Sequence, residues 1–414
     1  MALNSPILKI KDYRYLLFTY FLIIIALQVQ AVIVGWQIYQ INKDPLLLGL
    51  IGLTEAIPAI GCSFFAGHCV DISKPVTIFR LSLFIILLNT LMIFSTVIPG
   101  LHWTQTMQLL ILFCGIFISG AARSFTSPAQ FSLVPQIVPR SLLSAAAAFG
   151  SSGYTFAAII GPAMGGLVYG FIGPVWAFGL PCAFALIAFV ASHFLSDETK
   201  NLQSHHPGSV REPMLQSIRS GMKFIIKEKV LISTMALDMF SVLFGGAVAV
   251  LPIFADQVFH VGSSGLGLLR AAPAVGSVLI SVYLALRPMK VISGSRLLFV
   301  IAGFGVMMVL FATTQSFLLA LLFLALSGVF DGINMVIRGT IKQLLTPDHM
   351  RGRVSSLSTV FTTSSNEIGA FESGVAAKFL GLGTSVIFGG VMTLLVVAIV
   401  TVISPQLRRT KMQD

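Results

Sequence analysis

The sequence predicts an all-α membrane protein in which twelve transmembrane helices form two pseudo-symmetric six-helix bundles. Three observations carry this. Apolar stretches of roughly 20–28 residues follow one another from Tyr15 to Val402 with short polar breaks, and about 20 apolar residues cross the ~30 Å hydrocarbon core of a bilayer as a helix. Hydrophobic residues make up 56% of the chain and charged residues 10%, against about 25% charged in soluble domains. The two halves of the chain also repeat.

The expected spans are 15–41, 46–70, 77–98, 105–129, 142–170 and 174–195, then 231–256, 264–287, 295–313, 317–343, 354–380 and 384–404. This places a first bundle at 1–195, a cytoplasmic linker at 196–229 and a second bundle at 230–414. The linker opens with a polar break, Ser196 to Pro213, containing His205 and His206. After it, Leu215, Ile218, Met222, Ile225 and Ile226 recur at helical spacing with Arg219, Lys223 and Lys227 between them, the pattern of an interfacial amphipathic helix. The apolar run of span 1 is too long for a signal-peptide core, and it is read as a retained helix.

The net charge is +11, but its distribution argues for topology rather than nucleic acid. Basic residues fill every second loop, as the positive-inside rule requires of cytoplasmic loops: Lys9, Lys11 and Arg14; Lys74 and Arg80; Arg140; the linker; Arg287, Lys290 and Arg296; Lys342, Arg351 and Arg353; Arg408, Arg409 and Lys411. The other loops hold little more than Lys43 and Lys378. Both termini are therefore expected in the cytoplasm, on a multi-pass protein of the inner membrane. The four cysteines all fall within or at the ends of apolar spans, so no disulfide framework is implied.

Shifting the sequence by 208 positions pairs Gly120 with Gly328, Pro139 with Pro347, Gly161 with Gly369, Gly166 with Gly374 and Gly173 with Gly381. A shift of 215 pairs Glu55-Ala-Ile-Pro58-Ala-Ile-Gly61 with Arg270-Ala-Ala-Pro273-Ala-Val-Gly276. Two halves of the same orientation are a parallel internal repeat of the kind transporters use.

Local motifs add a resemblance. Gly67-His68-Cys69-Val70-Asp71, between spans 2 and 3, resembles the Gly-x-x-x-Asp loop motif of the major facilitator superfamily. Gly161-Pro162-Ala163-Met164-Gly165-Gly166 in span 5 is similar to the Gly-Pro-x-x-Gly-Gly motif of its antiporters. The stretches Ser127-Pro128-Ala129…Leu133-Val134-Pro135…Val138-Pro139 and Thr346-Pro347-Asp348…Met350-Arg351-Gly352-Arg353-Val354 resemble the drug:proton antiporter branch that holds macrolide-efflux proteins and the enterobactin exporter. The resemblance implies that spans 1, 4, 7 and 10 line a central cavity, that Asp71 meets the cytoplasmic start of span 11, and that spans 5 and 8 pack closely. The loop motif departs from the family pattern after Asp71, where Ile72-Ser73-Lys74-Pro75 replace the usual arginines.

Ionisable groups inside spans cost several kcal/mol unless paired or hydrated. The deep set is Glu55, Arg123, Asp238, Arg270, Asp331, Arg338, Glu367 and Glu372. Mutual neutralisation leaves two carboxylates over, and an unpaired carboxylate in low dielectric tends to hold a proton. Glu55, Glu372 and Glu367 are therefore the candidates for proton coupling. Asp331, Asn334 and Arg338 are spaced i, i+3, i+7 and share one helix face. Asp238 lies at the depth of Arg338, which makes an ion pair expected, whether structural or substrate-contacting. Gln30 and Gln37 share a face of span 1 and serve either the cavity or interhelical hydrogen bonds. With Arg123 these form the candidate substrate set. The candidate gating set is Gly67, Asp71, Arg270, Gly161, Pro162, Gly165 and Gly166.

The expected function is alternating-access, proton-coupled export of a small amphipathic molecule, a siderophore or a drug-like compound. A lipid flippase, an importer of the same fold and a non-transporting membrane receptor are the alternatives. No Walker loop or catalytic constellation is present, so neither ATP drive nor an enzyme is indicated. The seven histidines are scattered, and no metal or cofactor is expected. The expected partners are the substrate, protons and the bilayer, with the protein a monomer and without nucleic acid.

Overall fold

The computed structural model describes residues 6–196, 214–287, 289, 291–347 and 350–413. Its helices are α1 (Lys11–Ile41), α2 (Pro45–Ile72), α3 (Pro75–Phe94), α4 (Gln105–Ile137), α5 (Leu143–Phe171), α6 (Pro174–Ser192), α7 (Met214–Lys227) and α8 (Lys229–Gly245). They continue with α9 (Leu251–Ile253), α10 (Gly262–Leu286), α11 (Gly294–Thr313), α12 (Phe317–Leu345), α13 (Arg351–Leu380), α14 (Leu382–Ile403) and α15 (Pro405–Arg409). One antiparallel ribbon joins β1 (Val291–Ser293) to β2 (Lys411–Gln413).

Local chemistry sets the helix starts. Proline occupies the first turn of α3, α6 and α15, where its missing N–H is not needed. Asp44 accepts a hydrogen bond from the Leu46 amide at 2.9 Å and so caps α2. Gly173 and Gly381 precede α6 and α14 with φ of 107° and 87°, a region that side chains disfavour. These two glycines are repeat partners. The sharp turn into the sixth helix of each half thus has one solution used twice.

Among the described residues, eleven helical segments are long and apolar enough to cross a membrane, one fewer than the spans expected. The exception is α13. Its 30 residues reach about 45 Å at 1.5 Å per residue, but serines, threonines and two glutamates dilute its apolar character.

The chain divides into two compact units. The first holds Met1–Lys43, Thr54–Ser209 and Val261–Ala271; the second holds Asp44–Leu53, Val210–His260 and Ala272–Asp414. In the first unit Leu16, Ile23, Phe79, Leu83, Ile86, Ala129, Leu133 and Ala185 form the core between α1, α3, α4 and α6. Arg80 of α3 donates to the carbonyls of Ser192 and Leu195 at 3.1 and 2.8 Å, satisfying the end of α6. In the second unit Leu237, Leu297, Ile301, Ile337, Ile341 and Leu407 form a core joining α8, α11 and α12 to α15. The C-terminal segment is fastened there. The Ser295 hydroxyl donates to the Arg408 carbonyl at 2.7 Å, and Ser233 donates to Ser404 at 2.9 Å.

The expected amphipathic segment is α7. Its Ile225 packs with Leu231, Met235, Met350 and Val354, while Phe224 borders the same cluster. Arg353 of α13 donates to Ser220 of α7 at 2.8 Å, so α7 is tied to the start of α13. The polar break with His205 and His206 lies outside the described residues.

Candidate functional site

Three helices of the second unit converge on Asp238. Asn334 of α12 donates to its Oδ1 at 3.0 Å, and Thr362 of α13 donates to its Oδ2 at 3.3 Å. Arg338 of α12 forms an ion pair with the same Oδ2 through Nη1. That Nη1 also donates to Thr362 at 3.2 Å. Only 4% of the Asp238 side chain and 17% of the Arg338 side chain are exposed. The carboxylate therefore has a donor on every side it offers. The expected pairing of Asp238 with Arg338 is what the structure contains; Thr362 was missed, because one threonine among the many of α13 gives no signal. Asn334 keeps its Oδ1 buried without a partner among the described residues, at a cost of about 1–3 kcal/mol for such a group. Asp331 lies one turn away along α12, beside Asn334.

Beyond Asp238, α8 stops at Gly245. A 3-10 turn (Ala247–Val250), α9 and a π-helical turn (Phe254–Val258) carry the chain on. Gly246 takes φ −84° and ψ 88°, and its carbonyl accepts the Ser373 hydroxyl of α13 at 2.7 Å. Non-helical backbone at membrane depth is tolerated where protein or a cavity surrounds it. The sequence treats 231–256 as one span, and nothing apolar in it marks the break. Glu372 adjoins Ser373. Neither Glu372 nor Asp331 has a basic partner among the described residues, whereas Glu367 and Arg270 are both engaged.

In the first unit Glu55 of α2 pairs with Arg123 of α4, their side chains 20% and 46% exposed. Arg123 thus has a carboxylate partner within its own unit. Gly120, one turn from Arg123, lets the two helices approach: a Cβ there would press on the Glu55 carbonyl and Pro58. The second unit repeats the joint. A Cβ at Gly328 of α12 would run into Pro273 of α10.

The two glutamines of α1 part ways. Gln30 donates to Ser119 of α4 at 2.9 Å, and Asn89 of α3 donates to the same hydroxyl oxygen at 2.8 Å. Gln37 accepts from Tyr169 of α5 at 2.5 Å. Both act as interhelical hydrogen-bonders here, the second of the two uses the sequence allowed.

The glycine-proline run of α5 serves close approach. Gly161 faces Gln28 and Gly165 faces Val29, both on α1, while Gly166 abuts Gly267 and Ser263 of α10. Gly267 lies one turn from Arg270, and it also meets the carbonyl of Pro162. On the second unit Gly49 and Gly374 meet in the same way. There Lys378 of α13 donates to Asp44 at 2.8 Å. The hydrogen bond to Lys378, followed by the Leu46 amide, holds the Asp44 carboxyl below the usual carboxylate range. Gly67 and Asp71 belong to the last two turns of α2. Their side chains, and the gate contact expected of Asp71, lie outside the described residues.

The family model described as transmembrane secretion effector matches residues 5–414. Among curated proteins the chain is 25% identical over 282 residues to the enterobactin exporter EntS of Escherichia coli O1:K1. It is 26% identical over 286 residues to that of Escherichia coli O81 (strain ED1a). Each alignment covers 68% of this chain and 66% of the relative, so the chain spans just under two thirds of the relatives' own length. Among solved structures, a POT family transporter in complex with 5-aminolevulinic acid superposes with a TM-score of 0.74 at 13% identity, covering 96% of both chains. A bacterial homologue of the iron transporter ferroportin in an inward-facing state gives 0.68 at 17% identity, covering 98% of this chain and all of the other.

Proposed function

Because the chain belongs to the transmembrane secretion effector family of the major facilitator superfamily, and is a membrane transporter rather than an enzyme, we propose that it exports a small amphipathic molecule across the bacterial inner membrane in exchange for protons. The observation that carries this reading is the buried cluster of Asp238, Asn334, Arg338 and Thr362. A charge network placed among apolar helices is expensive, and such groups mark substrate or ion pathways. The similarity to enterobactin exporters favours export, with a siderophore or a drug-like compound as cargo. Arg338, Asn334, Asp331 and Asp238 line the substrate route, with Arg123 on the other bundle.

Proton coupling draws on the surplus of acids. Glu55 and Asp238 are taken by arginines, which leaves Glu372 and Asp331 as the carboxylates without a basic partner among the described residues. Glu372, beside the broken end of α8, is the leading proton carrier, with Glu55 and Glu367 secondary. The glycine contacts of α5 with α10 supply an interface that slides without sticking, and Arg270, Gly67 and Asp71 complete the gating set. In this reading α13 is a twelfth span, the protein is a monomer of two bundles at 1–195 and 230–414 joined by the linker 196–229, and both termini are cytoplasmic.

The test is pH-gradient-driven flux of a fluorescent amphipathic dye in proteoliposomes. Glu372→Gln is expected to abolish gradient-driven flux while dye exchange continues. Wild-type flux that ignores the gradient, or undiminished gradient-driven flux in Glu372→Gln, Glu55→Gln and Glu367→Gln alike, rejects the coupling.

A further inference from the structure

The Asp238 cluster leaves donors over. A guanidinium carries five N–H donors in a fixed fork, yet both contacts of Arg338, to Asp238 and to Thr362, are made by Nη1. Its Nε–H and Nη2–H edge meets no acceptor among the described residues. That edge has the geometry that grips a carboxylate or phosphate with two parallel hydrogen bonds. The side chain is 17% exposed, and neither nitrogen is among the fully buried unpaired atoms of the described residues, so the edge is open to a ligand.

A second cation lies one turn further along. Lys342 stands four residues from Arg338 on α12, where side chains share a face. It is partly buried. Like charges at this spacing destabilise a helix. No carboxylate relieves Lys342 among the described residues, and Asp238 has both oxygens occupied. Gly339, the residue after Arg338, points about 100° round the helix from it, and a Cβ there would meet nothing within 4 Å. Open space, two unspent donors and an unneutralised ammonium therefore coincide on one stretch of α12.

We propose that the Nε/Nη2 edge of Arg338 and the ammonium of Lys342 form an oxyanion subsite, and that the protein's ligand carries two acidic oxyanion groups about one helical turn apart. The inference rests on the reading of this α12 face as the substrate route and names its substrate class. One acidic group docks side-on to Arg338 without displacing Asp238, which stays on Nη1. The second neutralises Lys342 and removes the repulsion within α12. Arg338 supplies direction and Lys342 supplies discrimination by charge.

The test is equilibrium dialysis of the full-length protein in phosphatidylcholine nanodiscs against radiolabelled isophthalate, benzoate and benzamide. These probes share a ring and carry two, one and no carboxylates. Isophthalate is expected to bind about tenfold tighter than benzoate, and benzoate about tenfold tighter than benzamide, as one charge-assisted contact per step implies. Lys342→Gln should bring isophthalate to the level of benzoate and leave benzoate unchanged. Arg338→Lys should weaken both acids about tenfold with the charge retained, because an ammonium makes no fork. If Arg338→Lys does not yield monodisperse protein, Lys342→Gln decides alone. Benzamide binding as tightly as benzoate, an isophthalate preference intact in Lys342→Gln, or no acid bound at millimolar concentration overturns the proposal. Failure of the transport reading looks different: anion-selective binding would persist while proteoliposomes show no flux.

Discussion

Two ion pairs of the same chemistry occupy the two units under opposite conditions. Glu55–Arg123 is open, with almost half of the arginine side chain exposed. Beside it α2 and α4 are held together by Gly120 against Pro58. Asp238–Arg338 is closed, and its carboxylate is held by three donors from two further helices. An exposed pair contributes about 0.2–1 kcal/mol. A buried one contributes little net, yet removing one partner costs about 3–5 kcal/mol, since the other charge is left stranded. The pairs are alike as bonds and unlike as commitments: the first can part and re-form, whereas the second binds α8, α12 and α13 into one body.

The largest expected effect breaks that comparison directly. Asp238→Ala should lower stability by about 3–5 kcal/mol, and Glu55→Ala by about 1 kcal/mol or less, read as unfolding midpoints in detergent. Equal losses in the two variants would show that exposure does not separate the pairs. A second contrast concerns the repeated proline–glycine joint. Gly328→Ala forces a methyl into the Pro273 backbone, and Gly120→Ala forces one against Glu55 and Pro58. Overpacking of this kind costs about 1–3 kcal/mol, with Gly328→Ala the more severe. A reversed order would mean that the α10–α12 joint yields more easily than its counterpart.

The smallest effect tests the exposed end of the scale. Asp44 has its carboxyl held below the usual range by Lys378. A depressed folded-state value means that its stabilisation is fully present above the unfolded value near 3.9 and is lost as pH falls through the lower folded value. The two side chains are 40% and 31% exposed, so screening limits the pair to about 0.5 kcal/mol. The wild-type unfolding midpoint should therefore fall slightly more than that of Asp44→Asn between pH 5 and pH 3. Parallel curves would remove the Asp44–Lys378 contact from the account.

Much of this was legible in the sequence because it concerns position along a helix. The 208-residue shift pointed to Gly173 and Gly381, and both turned out to adopt positive φ before the sixth helix of a half. Counting turns from the helix ends placed Asp238 and Arg338 at one depth, and they meet. What stayed hidden is partner choice and continuity. Spans that are apolar on every side carry no period to reveal which face a neighbour covers, so Gln30 gave no hint of Ser119, nor Gln37 of Tyr169. Nothing in the sequence marked Asp44 as the partner of Lys378, because the two lie far apart along the chain. The ribbon between β1 and β2 was invisible, since three-residue strands lie below any pattern.

The interruption of α8 at Gly245–Gly246 has a consequence for the passage of isotopes through the chain. A continuous buried helix shields its amides by its own ladder, and exchange then needs a sizeable opening. Here the ladder ends in mid-segment, and a single hydroxyl, that of Ser373, is bonded to the Gly246 carbonyl. In deuterated solvent the label should therefore enter the seventh span from its middle, at Gly246–Val250, before it reaches the helices on either side. Ser373→Ala should hasten that entry without altering uptake in α1, whose 31 residues run without such a gap.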